Sequence, residues 1–277
     1  MYKFTPIIKK KVWGQENWVL SAVPGDESIV AEGPDRGKKI TDIFPGQFPL
    51  LVKFIDARED LSIQVHPNDE LAARRHNCKG KTEMWYVIGA SEGAHLLSGL
   101  KEQINPEKYV ELVESGKITD VLCDYPVKAG DVFFLPAGRI HAIGGGCYIA
   151  EIQQTSNITY RIYDYGRLGL EGTPRPLHTQ EAKDAIDYTV YPDYRTRYTP
   201  EKDKDIELVK CPFFTTDFLE LTKPFSKGAQ GGFLVVMCLE GEGTVNGIRM
   251  KAGEAALLLD EDLSIIPERT MKLLTSR

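Results

Sequence analysis

Paired cysteines and long apolar runs are both missing from this chain. Its 277 residues include five cysteines, an odd number with no CxxC pair among them, which is typical of a reduced intracellular protein rather than a disulfide-stapled one. No apolar run approaches the roughly 18 residues of a membrane-spanning helix. The first residues also lack the apolar core of a signal peptide. The sequence therefore predicts a cytoplasmic protein with no membrane partner.

Basic charge is scarce as well. The formal net charge is −6, from 34 Lys and Arg against 40 Asp and Glu, and no long basic stripe stands out. This balance argues against a nucleic-acid partner. It leaves room for a small anionic ligand, because such a ligand needs only a local cluster of basic side chains.

Short β-rich segments, separated by glycine and proline, are what the chain has in abundance. Runs of this kind are typical of strands in a sandwich or barrel. Three segments instead carry helix signals; in one of them Asn105 is the predicted N-cap, Pro106 the first helical residue and Gly116 the stop. The predicted strands are 49–57, 61–66, 82–89, 131–136, 147–154 and 158–165, and the predicted helices are 68–76, 105–116 and 179–187.

A change in composition divides the chain. Residues 188–205 are rich in tyrosine and charge and lose periodicity, which predicts a linker. It separates a first domain over 1–190, with helical insertions, from a small β domain over 205–277. The second domain has no histidine and mostly apolar strands, and Asn246–Gly247 predicts a hairpin in it.

Polar side chains share one face of the predicted strand "LSIQVH". Alternation along a strand puts Ser62, Gln64 and His66 on one face and the apolar Leu61, Ile63 and Val65 on the other. Burying the apolar set would gather a hydroxyl, an amide and an imidazole on a common surface. That surface is either solvated or assembled to hold a ligand.

Two further segments can join this face. Glu83 lies among strand-forming apolar residues with Lys81 on its face, and His141 ends the pattern G-x5-P-x-G-x-x-H that begins at Gly130. Two imidazoles, a carboxylate and the amide of Gln64 suit zinc. Two histidines and one carboxylate also suit non-haem iron(II), so the residue types leave both metals open.

These motifs resemble a known family. The segment from Gly130 to His141 resembles the second signature of the cupin superfamily, and Gln64-x-His66 followed by Glu83 resembles the first. With "TYRIYDYGR", "FTPIIKKKVWG" and "RPLHTQEAKDAID" they resemble type I mannose-6-phosphate isomerases, specifically the short bacterial form. The resemblance implies a mainly β protein of two cupin (jelly-roll-like) barrels, the first larger and metal-binding and the second degenerate.

The resemblance also assigns roles to individual residues. It implies one zinc ion per chain and catalytic roles for Arg161 and Lys81, whereas His178 is interpreted as a hydrogen-bonding residue at a helix entry. The implied zinc ligands are Gln64, His66, Glu83 and His141, and the implied phosphate-binding residues are Ser62, Lys53 and Arg167.

The implied function is an aldose–ketose isomerase that interconverts mannose 6-phosphate and fructose 6-phosphate through a cis-enediol(ate), with zinc assisting the proton transfer. Its partner is a small phosphosugar, and the chain is a monomer or homodimer. Two alternatives use the same residues. One is an iron(II) cupin dioxygenase, and the other is a non-catalytic bicupin that binds sugar phosphates. The basic residues Lys53, Lys81 and Arg161 favour a phosphorylated substrate over the dioxygenase.

Overall fold

Strands far outnumber helices in the computed structural model, which describes residues 1–229 and 231–277, and this confirms the predicted β-rich architecture. The predicted segment 147–154 is a strand with the same bounds, and the other predicted strands differ by one or a few residues at their ends. The strands are β1 Tyr2–Phe4, β2 Ile7–Lys11, β3 Gly14–Leu20, β4 Ala22–Val23, β5 Asp26–Glu27, β6 Val30–Glu32, β7 Leu50–Ala57, β8 Ile63–Val65, β9 Glu83–Ala90, β10 His95–Leu100, β11 Leu122–Pro126, β12 Val132–Leu135, β13 His141–Ile143, β14 Cys147–Gln154, β15 Tyr160–Tyr163, β16 Arg195–Thr196, β17 Asp205–Lys210, β18 Thr215–Leu221, β19 Phe225–Lys227, β20 Phe233–Glu240, β21 Glu242–Val245, β22 Ile248–Lys251, β23 Ala255–Leu259, β24 Leu263–Pro267 and β25 Met271–Ser276.

The three predicted helices are present, and two of them begin at a side-chain cap. The side chain of Asn68 accepts a hydrogen bond from Leu71 N at 2.9 Å, and that of Asn105 accepts one from Lys108 N at 2.8 Å. These caps satisfy amide groups that the first turn of a helix leaves without partners. The helices are α1 Ile40–Ile43, α2 Asp69–His76, α3 Pro106–Glu114 and α4 Thr179–Ala185, with a 3₁₀ turn at Ile118–Val121.

Contacts between Cα atoms divide the chain into two compact units. One contains Ile8–Asn17 and Lys53–Arg195, and the other contains Met1–Ile7, Trp18–Val52 and Thr196–Arg277. This grouping differs from the predicted linear division into 1–190 and 205–277. The difference arises because β1, at the N-terminus, pairs antiparallel with β23 and thereby joins the sheet of the C-terminal strands.

The unit that contains Lys53–Arg195 is built on two sheets. One has five strands and the other has seven. A core fills the space between the sheets, with Trp85 and Phe133 from one and Leu96 and Ile143 from the other. The strand orders are β11-β10-β13-β8-β15 and β16-β12-β9-β14-β7-β3-β2.

Helices cover the outer face of the five-stranded sheet. Ile63 and Val65 of β8 lie in one buried cluster with Tyr109 and Leu112 of α3 and Ala182 of α4. Helix α3 thus buries the apolar face that its sequence presents, at a burial free energy of about 1.5–3 kcal/mol for each large side chain. The inner face of the same sheet carries the polar Gln64 as well as apolar residues such as Leu96 and Ile143.

The predicted linker is partly folded into this unit. Tyr194 is buried, and its hydroxyl donates to Leu100 O at 2.8 Å and accepts from Leu100 N at 3.1 Å. Gly99 makes room for the ring, because a Cβ there would lie 2.2 Å from Tyr194 ring carbons. The prediction of a linker over 188–205 is therefore wrong up to Arg195. The polar composition of this segment gave no sign that Tyr194 is buried and anchors it.

The other unit also pairs two main sheets around a core. The larger has the order β17-β18-β25-β20-β23-β1-β6, and the smaller has the order β19-β24-β21-β22. Leu219, Val236 and Leu273 pack with Val245 and Ile265 in that core. The predicted hairpin is present between β21 and β22.

Left-handed backbone at the two turn residues explains that hairpin. Asn246 has φ +46° and Gly247 has φ +78°, which is the conformation that an Asn-Gly type I′ turn requires. All five cysteines are free. In the described part of the chain, no helix is long and apolar enough to cross a membrane.

Candidate active site

A cavity of about 350 Å³ opens in the unit that contains Lys53–Arg195. Its walls are mostly polar and carry both signs of charge. Side chains that line it include Lys11, Glu16, Lys53, Ser62, Gln64, Lys81, Glu151, Arg161, Arg175 and His178. Most residues predicted for the site are therefore found together.

The face prediction for "LSIQVH" is confirmed for the residues of β8. Ile63 and Val65 point to the helical layer, whereas Gln64 lines the cavity. Leu61 departs from the prediction, since it lines the cavity beside Ser62 and belongs to the core between the sheets. The alternation fails there because β8 begins only at Ile63.

Three buried side chains converge at one point of the site. His66, Glu83 and His141 each offer a ligand atom, and these atoms lie within 4.8 Å of one another. His141 Nε2 is 3.2 Å from Glu83 Oε1, and His66 Nε2 is 3.6 Å from Glu83 Oε2. His66 directly follows β8, Glu83 begins β9 and His141 begins β13, so both sheets contribute ligand groups.

Backbone carbonyls set the orientation of both imidazoles. His66 Nδ1 donates to Ile158 O and His141 Nδ1 donates to Arg139 O, each at 2.8 Å. Since a carbonyl only accepts, each Nδ1 carries the proton and each Nε2 keeps a lone pair. Glu83 Oε1 accordingly accepts no hydrogen bond within the described part of the chain, although it is fully buried. An orphaned carboxylate oxygen beside two imidazole lone pairs fits a divalent cation.

Burial keeps these groups in the protonation states that a metal ion needs. Burial lowers the pKa of His141 to about 3 and also lowers the pKa of His66, where Lys81 adds to the effect. Burial alone would raise the pKa of Glu83, but Lys81 and the imidazoles hold it well below the ordinary value. The site thus presents two neutral imidazoles and a carboxylate at neutral pH.

Gln64 is adjacent to this triad. Its Nε2 lies 3.2 Å from His141 Nε2, and Gln64 pairs with His141 in the register of β8 and β13. The two ends of an amide have nearly the same shape, so a half-turn of the group puts Oε1 in the same place. Gln64 can therefore supply an oxygen as a fourth ligand.

A network of lysine and glutamate side chains continues from the triad. Lys81 contacts Glu83 and lies 3.1 Å from His66 Nε2. Lys53 donates to Glu151 at 2.9 Å, and Trp85 Nε1 donates to the other oxygen of Glu151 at 2.8 Å. Burial acts to lower the pKa of Lys53, but Glu151 and Glu16 outweigh it and the pKa is raised. Lys53 is therefore charged, and both lysines are paired with carboxylates.

Arg161 is held against the segment that follows its strand. Its Nη1 donates to Pro176 O at 3.0 Å, and its backbone N–H donates to His178 Nδ1 at 3.0 Å. His178 N in turn donates to Arg161 O at 2.7 Å. His178 thus bonds to β15 and gives α4 no side-chain cap. It is a hydrogen-bonding residue, as the sequence was interpreted, but its partner is a strand and not the helix.

Asp164 accepts hydrogen bonds from two further arginines, Arg167 and Arg175. It accepts from Arg175 Nε at 2.7 Å and Nη2 at 2.6 Å, and from Arg167 Nε at 2.9 Å. Arg175 lines the cavity, whereas Arg167 is not among the described residues that line it. Despite burial, the two guanidinium groups keep the pKa of Asp164 below its ordinary value.

Sequence reasoning missed four charged residues of the cavity: Lys11, Glu16, Glu151 and Arg175. Glu151 lies in β14 with buried neighbours on both sides, and such a carboxylate within an apolar strand was a usable signal. Arg175 lies in a loop without periodicity, and nothing in its local sequence distinguishes it from a solvated surface arginine.

The sheets and the His–Glu–His triad together define a cupin-type protein with a cavity suited to a metal ion and an anionic molecule. The family model for the catalytic domain of phosphomannose isomerase type I matches residues 15–87. Mannose-6-phosphate isomerase ManA of Bacillus subtilis is 34% identical over 91% of this chain and 87% of its own length. The chain belongs to the type I phosphomannose isomerase family.

Further relatives agree with this assignment. Mannose-6-phosphate isomerase of Streptococcus mutans is 34% identical over 83% of this chain and 76% of its own length. The crystal structure of mannose 6-phosphate isomerase from Bacillus subtilis matches with a TM-score of 0.91 and 29% identity, over 100% of this chain and 99% of that one. A mannose 6-phosphate isomerase bound with zinc and yttrium shares the fold, with a TM-score of 0.75 and 15% identity over 99% and 98% of the two chains.

Proposed function

We propose that this chain interconverts mannose 6-phosphate and fructose 6-phosphate. The observation that carries the proposal is the convergence of His66, Glu83 and His141. The triad contacts Gln64 and Lys81, which line a cavity together with Arg161. Moving a proton between C1 and C2 of a sugar builds negative charge on oxygen. A fixed cation and a fixed guanidinium stabilise such charge better than water does, because they need no reorganisation.

We assign the metal to one zinc ion held by Gln64, His66, Glu83 and His141. The neutral imidazoles, the carboxylate and the orphaned Glu83 Oε1 support a divalent cation, and the zinc-bound relative supports zinc. When bound, zinc would act as a redox-silent Lewis acid toward a substrate oxygen. The same residues would suit iron(II), but the amide of Gln64 and the surrounding basic groups favour the isomerase over a dioxygenase.

Arg161 and Lys81 are the proposed catalytic residues. Arg161 lies opposite Gln64 in the register of β15 and β8, which supports a role beside the reacting carbons. Its guanidinium would stabilise the enediolate. Lys81, with three N–H donors and contacts to Glu83 and His66, can hold a proton next to the metal ligands.

The phosphate-binding roles of Ser62, Lys53 and Arg167 stay predictions. Ser62 and Lys53 line the cavity, which supports contact with substrate, while the ion pair between Lys53 and Glu151 already balances the lysine charge. The cytoplasmic location and the monomer or homodimer state also stay predictions.

A substrate panel tests the proposed function. Purified protein is assayed with mannose 6-phosphate, glucose 6-phosphate and unphosphorylated mannose by coupled detection of the ketose, with an oxygen electrode alongside. We expect fructose 6-phosphate from mannose 6-phosphate, far less product from the other two sugars, and no oxygen uptake. Oxygen uptake without isomerisation would establish the dioxygenase, and tight binding of mannose 6-phosphate without product would establish a binding protein.

A further inference from the structure

The segment that follows α4, residues 187–194, is packed against the turn between β12 and β13. Asp187 N donates to Gly138 O in that turn at 2.8 Å. Within the segment, the Tyr191 hydroxyl donates to Asp187 Oδ2 at 3.0 Å, and Tyr191 N donates to the Tyr194 hydroxyl at 3.1 Å. These bonds hold the segment, which we call the tyrosine segment, in a defined conformation beside the turn.

The side chain of Arg139 lies over both rings of the tyrosine segment. Its guanidinium carbon is 4.3 Å from the ring centroid of Tyr194 and 4.8 Å from that of Tyr191. Arg139 is only 9% exposed, and among the residues that the structure describes no carboxylate forms an ion pair with it. The ring faces therefore take the place of an anionic partner, since they attract a cation most strongly where water is excluded.

The backbone of Gly138 and Arg139 contacts both imidazole ligands. Gly138 N donates to His66 O at 2.9 Å, and Arg139 O accepts from His141 Nδ1 at 2.8 Å. The hydrogen bond at Nδ1 fixes the tautomer and the orientation of the His141 ring. The interactions that hold Arg139 in place therefore also determine where His141 Nε2 points relative to Glu83.

We propose that Arg139, clamped by the rings of Tyr191 and Tyr194, is a positioning residue for the metal centre. The clamp keeps the Arg139 carbonyl directed at His141 before any metal ion binds. Without the clamp the imidazole would spend part of its time turned away, and the apparent metal affinity would fall with the fraction of molecules that is competent to bind. This inference deepens the proposed function, because it rests on the metal site assigned there.

Zinc affinity, measured by competition with a chelator, tests the proposal without any turnover. Arg139→Met keeps an unbranched side chain but removes the cation. We expect the zinc dissociation constant to rise by about 10–100-fold, the typical effect of removing a group that orients a metal ligand. Arg139→Lys keeps a cation that can lie over the rings, so this conservative variant should recover most of the affinity.

Arg195→Met is the matched control. Arg195 also lies over two rings, with its guanidinium carbon 5.2 Å from the centroid of Tyr125 and 5.6 Å from that of Phe133, but its backbone holds no proposed metal ligand within the described residues. Both Met variants should lower the melting temperature of the metal-free protein, and only Arg139→Met should weaken zinc binding. A lowered melting temperature with wild-type zinc affinity in Arg139→Met would make Arg139 merely structural and overturn the proposal.

Tyr191→Leu provides the test if Arg139→Met does not fold. Tyr191 is 40% exposed, so the fold should tolerate its loss. We expect the zinc dissociation constant to rise by about 2–5-fold, which corresponds to one cation–π contact at an exposed site. An unchanged constant in this variant, with Arg139→Met insoluble, would also reject the clamp.

The orientation of the imidazole is measured directly in the metal-free protein. Ring ¹⁵N shifts, assigned to His141 by comparison with His141→Ala, report which ring nitrogen carries the proton. We expect the Nδ1-protonated form in wild type and Arg195→Met, and a mixture of tautomers in Arg139→Met; one Nδ1-protonated form in all three would overturn the proposal.

The two proposals fail in different ways. Zinc binding that depends on Arg139, in a protein that shows no isomerisation, would reject the proposed function and keep the role of Arg139. Active isomerase with equal zinc affinity in wild type and Arg139→Met would keep the function and reject the clamp.

Discussion

Backbone carbonyl groups fix the orientation of individual polar side chains in the candidate active site. His66 and His141 each donate from Nδ1 to a carbonyl, so their free nitrogens face Glu83. Arg161 is fixed by a carbonyl and by an imidazole of the following segment. Such preorganisation matters because a charge that is already in place needs no rearrangement when the substrate reacts.

Arg161→Lys tests the role of the guanidinium. Lysine keeps the positive charge but lacks the planar fork that can contact two oxygens at once. We expect kcat to fall by about 10²–10³, the typical cost of one preorganised charge-stabilising contact, with metal content and fold unchanged. Steady-state kinetics, circular dichroism and metal analysis measure these quantities. A near-normal kcat with a raised KM would assign Arg161 to ground-state binding instead.

At the scale of elements, regular segments were predictable and long-range partners were not. The strand Cys147–Gln154 and the cap of α3 follow from local composition and turn chemistry. The joining of β1 to β23 pairs residues 2 and 257, and no local pattern encodes that choice. Strand alternation predicted the shared face of Gln64 and His66, whereas the full ligand set rested on the resemblance to the family. Arg175 lies in a loop without periodicity, so no local pattern predicted its place in the cavity.

Asn105→Ala tests the cap of α3. Removing the side chain that accepts from Lys108 N should lower the free energy of unfolding by about 1 kcal/mol, because the first turn loses its partner. Kinetic constants should not change, since α3 packs on the face of the sheet away from the cavity. Urea denaturation measures the effect, with the exposed Glu114→Ala of the same helix as control. Equal stability of both variants would show that the cap contributes nothing.

Asp164→Asn should produce a pH-dependent loss of stability. The two guanidinium groups lower the pKa of Asp164 below its ordinary value in the folded state, so its charged form stabilises the fold at every pH above that ordinary value. This contribution is lost as the pH falls through the lowered pKa. The stability gap between wild type and variant should therefore be full at pH 7 and should shrink below about pH 4. A gap that is constant from pH 7 to 3 in urea denaturation would contradict the assignment.

At the scale of the whole molecule, the metal ligands and the C-terminal strands fall in different compact units. All proposed ligands lie within 64–141, whereas Thr196–Arg277 groups with Met1–Ile7 and Trp18–Val52. The unit without ligands has its own buried core, and its strands after residue 205 carry no histidine. We therefore interpret that unit as structural.

Truncation after about residue 200 tests this interpretation. The shortened chain keeps every proposed ligand but loses β23, one of the two strands that pair with β1, so apolar surface of Met1 and Phe4 becomes exposed. We expect a lower soluble yield and a lower melting temperature than for the full chain. A truncated protein that is monodisperse and as stable as the full chain would show that the C-terminal strands are dispensable. A second metal ion bound within 206–277 would contradict the structural role.

Metal content measured together with activity tests the central claim most directly. Wild type, His141→Ala and the control His95→Ala are analysed as purified, after exhaustive chelation and after zinc is restored. We predict one zinc per chain and isomerase activity that disappears and returns with it in wild type and control, and neither metal nor activity in His141→Ala, because three protein ligands remain at best. Full activity in wild-type protein shown to be free of metal would contradict the account.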